Sequence, residues 1–323
     1  MTAPTPTTRL TLGLDLTGLG AKAPLHTRAR SSRAQHVSLG DVSDYLLLAA
    51  EAGIDLVTVG ESFRLDDAAR PDAWLDPAVL VSRLAAAGLL HGTTAIVPAL
   101  PAGLLDPVRL ARAVAGLQVR TDGRAGWQLP ATVTAGGVHA EVRRVWAGDR
   151  ALVTAGAPLL VTAPAEPEAA VVAGRHSDVV RLRVSDLAEA AARREAIRTA
   201  AAAAGRNPDD VRVVVDVVTV IAQDELSAQF RADLLRDVSD GASEEAATLT
   251  LAGTAQTVAD ALEEWAGVVD GFVLVPGSLP TDALAIAHGL VPELAARGLV
   301  PAPAAASAPQ DAGDLVDDLA FVL

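Results

Sequence analysis

The feature that most constrains the fold is an alternation. Short apolar runs rich in β-branched residues give way repeatedly to longer alanine- and leucine-rich stretches of helical periodicity, the pattern of βα units around a parallel sheet. Strands are predicted from Leu10 to Leu16, Asp55 to Val59, Thr93 to Val97, Ala125 to Leu129, Leu159 to Thr162, Asp178 to Leu182, Val211 to Ile221 and Gly271 to Val275. Predicted helices fall between them. One runs from Asp41 to Ala52, with Asp41 or Ser38 as cap and Gly53 as stop. Others span Asp76 to Ala87 and Asp106 to Leu117, both opened by Asp-Pro, where the missing proline N–H does no harm. A long one runs from Ser185, its expected cap, to Ala204, another from Thr254 to Trp265, and a last one follows the eighth strand as far as Ala296. Eight strands with intervening helices fit a (β/α)8 TIM barrel. A doubly wound open sheet stays in competition, because periodicity cannot count strands that close a ring.

A chain of 323 residues, half of them hydrophobic, suffices for one large barrel or two ordinary domains. We expect a single barrel domain over 1–300 and an Ala/Pro-rich tail over 301–323, its final residues 315–323 docking back as a short helix. No apolar run reaches the roughly 18 residues of a membrane span. The opening MTAPTPTTRL lacks the charged start and apolar centre of a signal peptide. A cytoplasmic, soluble protein is expected, and zero cysteines exclude a disulfide framework, a thiolate metal site and a cysteine nucleophile. Forty acidic against 26 basic residues give a net charge of −14, a field that repels nucleic acid and anionic membranes. His91, His176 and His288 stand singly, without metal-ligand spacing, so no metal is expected. Trp146 and Trp265 fit helix faces packed on a barrel.

More specific segments lie within this frame. DGRAGW (Asp122 to Trp127) follows LARAVAGLQ, and AAEAGIDLVTVGES, LDPAVLVSRLAAAG and DPVRLARAVAGLQ come before it. VVDGFVLVP and VPELAARGL close the set. In order and spacing, nearly the whole chain resembles the luciferase-like flavin-dependent monooxygenases, in particular the nitrilotriacetate and alkanesulfonate monooxygenase group. The resemblance implies a bacterial-luciferase-like (β/α)8 barrel with a shortened insertion after strand four. It also implies FMN as cofactor, reduced by a separate flavin reductase, oxygenation of a small organic substrate, and a homo-oligomer. F420, which related barrels bind, is the less favoured cofactor.

Carried over position by position, the resemblance assigns Glu61, Gln128 and Thr132 to the flavin ring, with Glu61 one methylene longer than the usual Asp. Ile96-Val97-Pro98-Ala99 replaces a hydroxyl-bearing stretch at the end of strand three. His139 is the candidate general base in the shortened insertion, against the plainer reading of an exposed helix start. Arg28, Arg30 and Arg33, in a loop after strand one, are candidates for substrate contact or are simply solvated. The turn expected to hold the flavin phosphate reads Thr162-Ala163-Pro164-Ala165-Glu166-Pro167-Glu168. Its prolines lack the N–H that a phosphate needs, and its carboxylates would oppose a dianion. Ordinary capping explains acids at a helix start equally well. Arg175 or Arg181 would have to compensate. Two functions stay open: a flavin-dependent monooxygenase, and a non-catalytic barrel that has lost its flavin and serves as a binding protein.

Overall fold

Eight parallel strands close into a ring, in a computed structural model that describes residues 9–17, 39–60, 76–100, 106–129, 135–164, 166–238 and 248–302. The strands and the helices that follow them alternate along the chain. The first half runs β1 (Thr11–Asp15), α1 (Leu39–Ala52), β2 (Leu56–Val59), α2 (Pro77–Ala86), β3 (Ala95–Pro98), α3 (Pro107–Arg120), β4 (Gly126–Leu129) and α4 (Ala135–Gly148). The second runs β5 (Leu159–Thr162), α5 (Pro167–Gly174), β6 (Val179–Leu182), α6 (Leu187–Ala203), β7 (Arg212–Ile221), α7 (Glu225–Val238), β8 (Leu249–Gly253), α8 (Ala255–Trp265) and β9 (Gly271–Pro276). A last helical stretch follows β9, interrupted by a π-turn at Ile286–Leu290 and finishing as Val291–Ala296.

All eight expected strands form the ring, in the order β3-β2-β1-β9-β7-β6-β5-β4. Two isolated bridges, Ile96 with Ala125 and Ala99 with Gln128, join β3 to β4 and shut it. The open-sheet alternative is thereby set aside. A ninth strand was not foreseen: β8 pairs only with the upper half of β7, Leu249 beside Val217 through Gly253 beside Ile221. The ten-residue β7 outruns the four-residue β6, which pairs with its lower half, and β8 takes up the unpaired remainder. The connection from β4 to β5 is one fourteen-residue helix and a 3-10 turn at Arg150–Val153, which matches the expected short insertion.

Side-chain alternation sorts the core into two layers. Leu12 and Leu14, Val57 and Val59, Val180 and Leu182, Val215 and Val217 point outward and pack under the helices. The residues between them point inward. Leu56, Val97, Val161, Val179, Val214 and Val273 fill the lower barrel. Gly126 belongs to this inner layer, where a Cβ would come within 2.9 Å of Val97 and 3.0 Å of the Leu159 carbonyl oxygen. Trp146 and Trp265 lie in the outer layer, as expected. At the strand beginnings, Asp55, Asp178 and Asp270 accept the backbone N–H of Leu12, Leu160 and Val213 respectively, each on a neighbouring strand. Each also pairs with arginine, Asp270 with both Arg194 and Arg198. Among the described residues, no helix is long and apolar enough to cross a membrane.

Candidate functional site

The C-terminal ends of barrel strands are where (β/α)8 proteins place their sites. Here that end is floored by ions. Asp15, Thr58, Gln128, Arg181 and Asp216 each sit between two outward-facing apolar residues of β1, β2, β4, β6 and β7, so all five turn inward. Arg181, 3% exposed, lies at the centre. Its Nε and Nη2 donate to the two oxygens of Asp216 at 2.8 and 3.0 Å, and Nη2 donates also to Asp15 at 2.7 Å. Its Nη1 donates to Thr58 Oγ1 at 3.2 Å and Gln128 Oε1 at 2.9 Å. A guanidinium has five N–H groups, and all five are engaged. Thr58 in turn donates to Asp15 at 2.9 Å, and Arg183 stands 3.8 Å from Asp216.

The electrostatics are those of a buried network, in which desolvation is offset only by close pairing. Burial pushes the Asp15 carboxyl up; the Arg181 charge and hydrogen bonds from Thr17 and Arg181 outweigh it and hold the group below 3.8. Burial works against the Arg181 charge, and the Asp216 and Asp15 carboxylates overcome it, so its pKa is raised. Arg181 is therefore a permanent cation with no free donor, and it cannot double as a phosphate ligand. An arginine only donates, so it fixes the Gln128 amide with its oxygen toward the guanidinium. The Nε2 group has no partner among the described residues.

His139 lies on the other side of the wall. It is fully buried between α4 and the strands, with its Nδ1 3.2 Å from Ser177 Oγ and 3.4 Å from Thr162 Oγ1, and the two hydroxyls are 2.5 Å apart. Trp127, which points outward from β4, meets its ring edge-on at 5.1 Å. Burial, then the charges of Arg143 and His176, lower its pKa to about 3. The exposed-start reading does not hold: the helix begins at Ala135, so His139 is in its second turn, facing the sheet and fully buried. As the candidate base it lies outside the barrel wall, against Ser177 and Thr162, and not among the ions of the floor.

Arg175 is also displaced from its expected role. It caps the C-terminal end of α5, eight residues and so about 12 Å from the helix start where a phosphate would sit. At that start, Glu166 makes no side-chain capping bond, Pro167 occupies the first turn and Glu168 is exposed. Glu61, Thr132, Arg28, Arg30 and Arg33 lie outside the described residues. At the end of β3, inward-facing Val97 is followed by the buried Ala99, which keeps that wall free of hydroxyls, as the sequence indicated. Among the described residues, no group of histidines and acids could hold a metal. Sequence reasoning missed Asp15, Thr58 and Asp216. For Asp15 and Asp216 the available signal was an ionisable residue inside an apolar run, LGLDL and VVVDVV; Thr58, in LVTV, carried none.

No protein-family model matches the chain, and no curated protein matches it by sequence. Solved structures do match. A riboflavin lyase, determined with modified FMN and its substrate riboflavin, is 19% identical, with a TM-score of 0.73 over 92% of this chain and 94% of that one. The EDTA monooxygenase of Chelativorans sp. BNC1 is 18% identical, with a TM-score of 0.72 over 91% and 95%. A long-chain alkane monooxygenase is 14% identical, with a TM-score of 0.73 over 91% and 93%. The fold is that of the luciferase-like (β/α)8 barrels, as the resemblance in the sequence implied.

FMN, which that fold implies, fits the described residues only in part. The Gln128 Nε2 group, without a partner among the described residues, is the donor on the floor that could meet an acceptor of the ring. The phosphate end does not fit: the turn after β5 offers prolines and carboxylates, Arg181 is fully engaged, and Arg175 is at the wrong end of its helix.

Proposed function

We propose that this protein is a luciferase-like, flavin-dependent oxidoreductase of the monooxygenase type, acting on a small organic substrate at the C-terminal mouth of the barrel. The observation that carries this reading is the likeness of the whole barrel, over about nine-tenths of both chains, to enzymes named as monooxygenases. The flavin would supply oxygen chemistry; the protein's part is to seat it, orient it and exclude water. Gln128 donates to an acceptor edge of the ring, and Glu61 and Thr132 complete the seat. Arg28, Arg30 and Arg33 cover the substrate. A separate reductase, a homo-oligomeric state and a cytoplasmic location belong to the same proposal, with FMN favoured over F420 as the starting expectation.

One specific observation favours the second reading, a barrel that has left flavin chemistry. The guanidinium at its centre is saturated, and the start of α5 presents Pro167, Glu166 and Glu168 where a phosphate needs N–H groups. Anaerobic titration with oxidised and then reduced flavin, followed by fluorescence, separates the two. Micromolar or tighter binding of the reduced form supports the oxidoreductase, and a screen for substrate-dependent oxygen uptake follows. No binding of either form at about a hundred micromolar sinks it in favour of a binding protein.

A further inference from the structure

The helices differ in how their arginines are held. Arg143 and Arg144 on α4, Arg193, Arg194 and Arg198 on α6, and Arg231 and Arg236 on α7 each pair with a carboxylate. Arg83 on α2 and Arg109, Arg112 and Arg120 on α3 are exposed and form no ion pair among the described residues. Neither helix contains an acid within its own length; the capping acids, Asp76 and Asp106, stand at the ends opposite Arg83 and Arg120. In a chain of net charge −14, this is a local excess of positive charge. The two helices lie side by side. On α3, Arg109, Arg112, Gly116, Val119 and Arg120 recur at helical spacing on one exposed face, and on α2 Val79, Arg83 and Ala86 do the same. Val79 and Val119 are each 55% exposed, and Ser82, Ala85, Ala86 and Arg120 line a hollow of about 220 Å3 between the helices. Apolar side chains beside unpaired cations call for an occupant that is both apolar and acidic.

The chain itself carries such a segment. Asp311, Asp314, Asp317 and Asp318 interleave with Leu315, Leu319 and Val322, which are four and three residues apart, and no Lys or Arg occurs from 303 to 323. This segment lies outside the described residues, which end at Ala302, just past Leu299, whose carbonyl accepts the Leu10 N–H at the strand beginnings. Helices that follow barrel strands return from the mouth, so the last turns of α2 and α3, with Arg83, Ala86, Val119 and Arg120, lie at that same end. Helix α1 packs against both the last helical stretch and α2, a separation of about 20 Å at 8–10 Å per helix. Residues 303–310, rich in Ala and Pro, span about 25 Å when extended. We infer that residues 311–323 dock on the α2–α3 face of their own chain, with their aspartates on Arg83, Arg112 and Arg120 and their apolar residues over Val79 and Val119. A second copy packed face to face would instead set these arginines against their own counterparts. The docking does not depend on the flavin reading proposed above.

The chain has no cysteine, so an introduced pair reports cleanly. The test combines Gly116→Cys, where an added Cβ meets open space, with Ala320→Cys in the full-length protein and treats it with a short bis-maleimide. A control combines Ala320→Cys with Phe230→Cys on the exposed face of α7. The expected product is a link within one chain, several-fold more abundant than in the control and falling in about 1 M salt, where the Debye length is about 3 Å. R112E/R120E should lower the yield to the control level, and D317R/D318R added to that background should restore it; a thermal melt checks that each variant folds. Equal yields from the two pairs overturn the inference and leave the face to another partner. A product that links two chains also overturns it, and makes the face an interface between copies. A yield indifferent to R112E/R120E overturns the role given to the arginines.

Discussion

At the scale of single residues, the molecule depends on Arg181. Replacing it with methionine keeps the bulk but leaves Asp15 without its counter-charge and Asp216 with only Arg183, at 3.8 Å. Breaking a buried pair in this way costs about 3–5 kcal/mol, so R181M should lower the urea midpoint strongly. Asp15 also sets an acid limit. Its folded-state pKa lies below 3.8, so its contribution is complete above that value and is lost as pH falls through the folded pKa. His139 acts at higher pH. It stays neutral in the fold down to about 3 but takes up a proton near 6.5 when unfolded. Stability should therefore fall by about 1.4 kcal/mol per pH unit on acidification between those values. Urea titrations from pH 7 to pH 4 should show that slope, and His139→Leu, which leaves Thr162 and Ser177 bonded to each other, should flatten it. Of the three ions of the floor the sequence reading named only Arg181, although Asp15 and Asp216 each interrupt an apolar run. Their partnership was not legible, because Asp15 and Arg181 are 166 positions apart and meet only through the order of strands in the ring.

At the scale of elements, helix and strand positions were largely legible, because β-branched runs and Asp-Pro starts carry their own local chemistry. The Asp76 and Asp106 caps stand where the sequence put them. The cap of α6 is Asp186, one residue beyond the expected Ser185, since it is the Asp carboxylate that reaches the Glu189 N–H. The strand Leu249–Gly253 escaped notice because its five residues, LTLAG, resemble a lead-in to the helix at Thr254. Only the excess length of β7 creates the place for it. Packing between helices is closest at Gly174, where an added Cβ would stand 2.5 Å from the Ile197 carbonyl oxygen. Gly174→Ala should push α5 from α6 and destabilise the protein by about 1–3 kcal/mol, read as a lower thermal midpoint. On α7, by contrast, Leu226, Phe230 and Leu234 follow one another at four-residue intervals on an exposed face. Phe230→Ser should change stability by no more than about 0.5 kcal/mol, and a shift of several kcal/mol would mean that the face is covered in solution.

At the scale of the whole molecule, the ring is uneven. Most neighbouring strands are held by continuous ladders, from the six paired positions between β7 and β9 down to the two between β5 and β6. Between β3 and β4 there are only two isolated bridges, with the amides of Ile96 and Leu100 donating across to Arg124 and Gln128. Such a closure gives the cylinder a seam. Parting it breaks few bonds, so it belongs to the low end of the range of local opening energies. The Ile96 and Leu100 amides should exchange with deuterium sooner than the Val217 amide in the middle of β7, and equal protection would show the ring to be uniformly closed. The seam runs beside Ala99 and Gln128, on the same side of the mouth as the free amide. When it parts, the Gln128 amide goes with β4, while the bonds of Arg181 to Asp15 and Asp216 lie on the far side of the ring from the break.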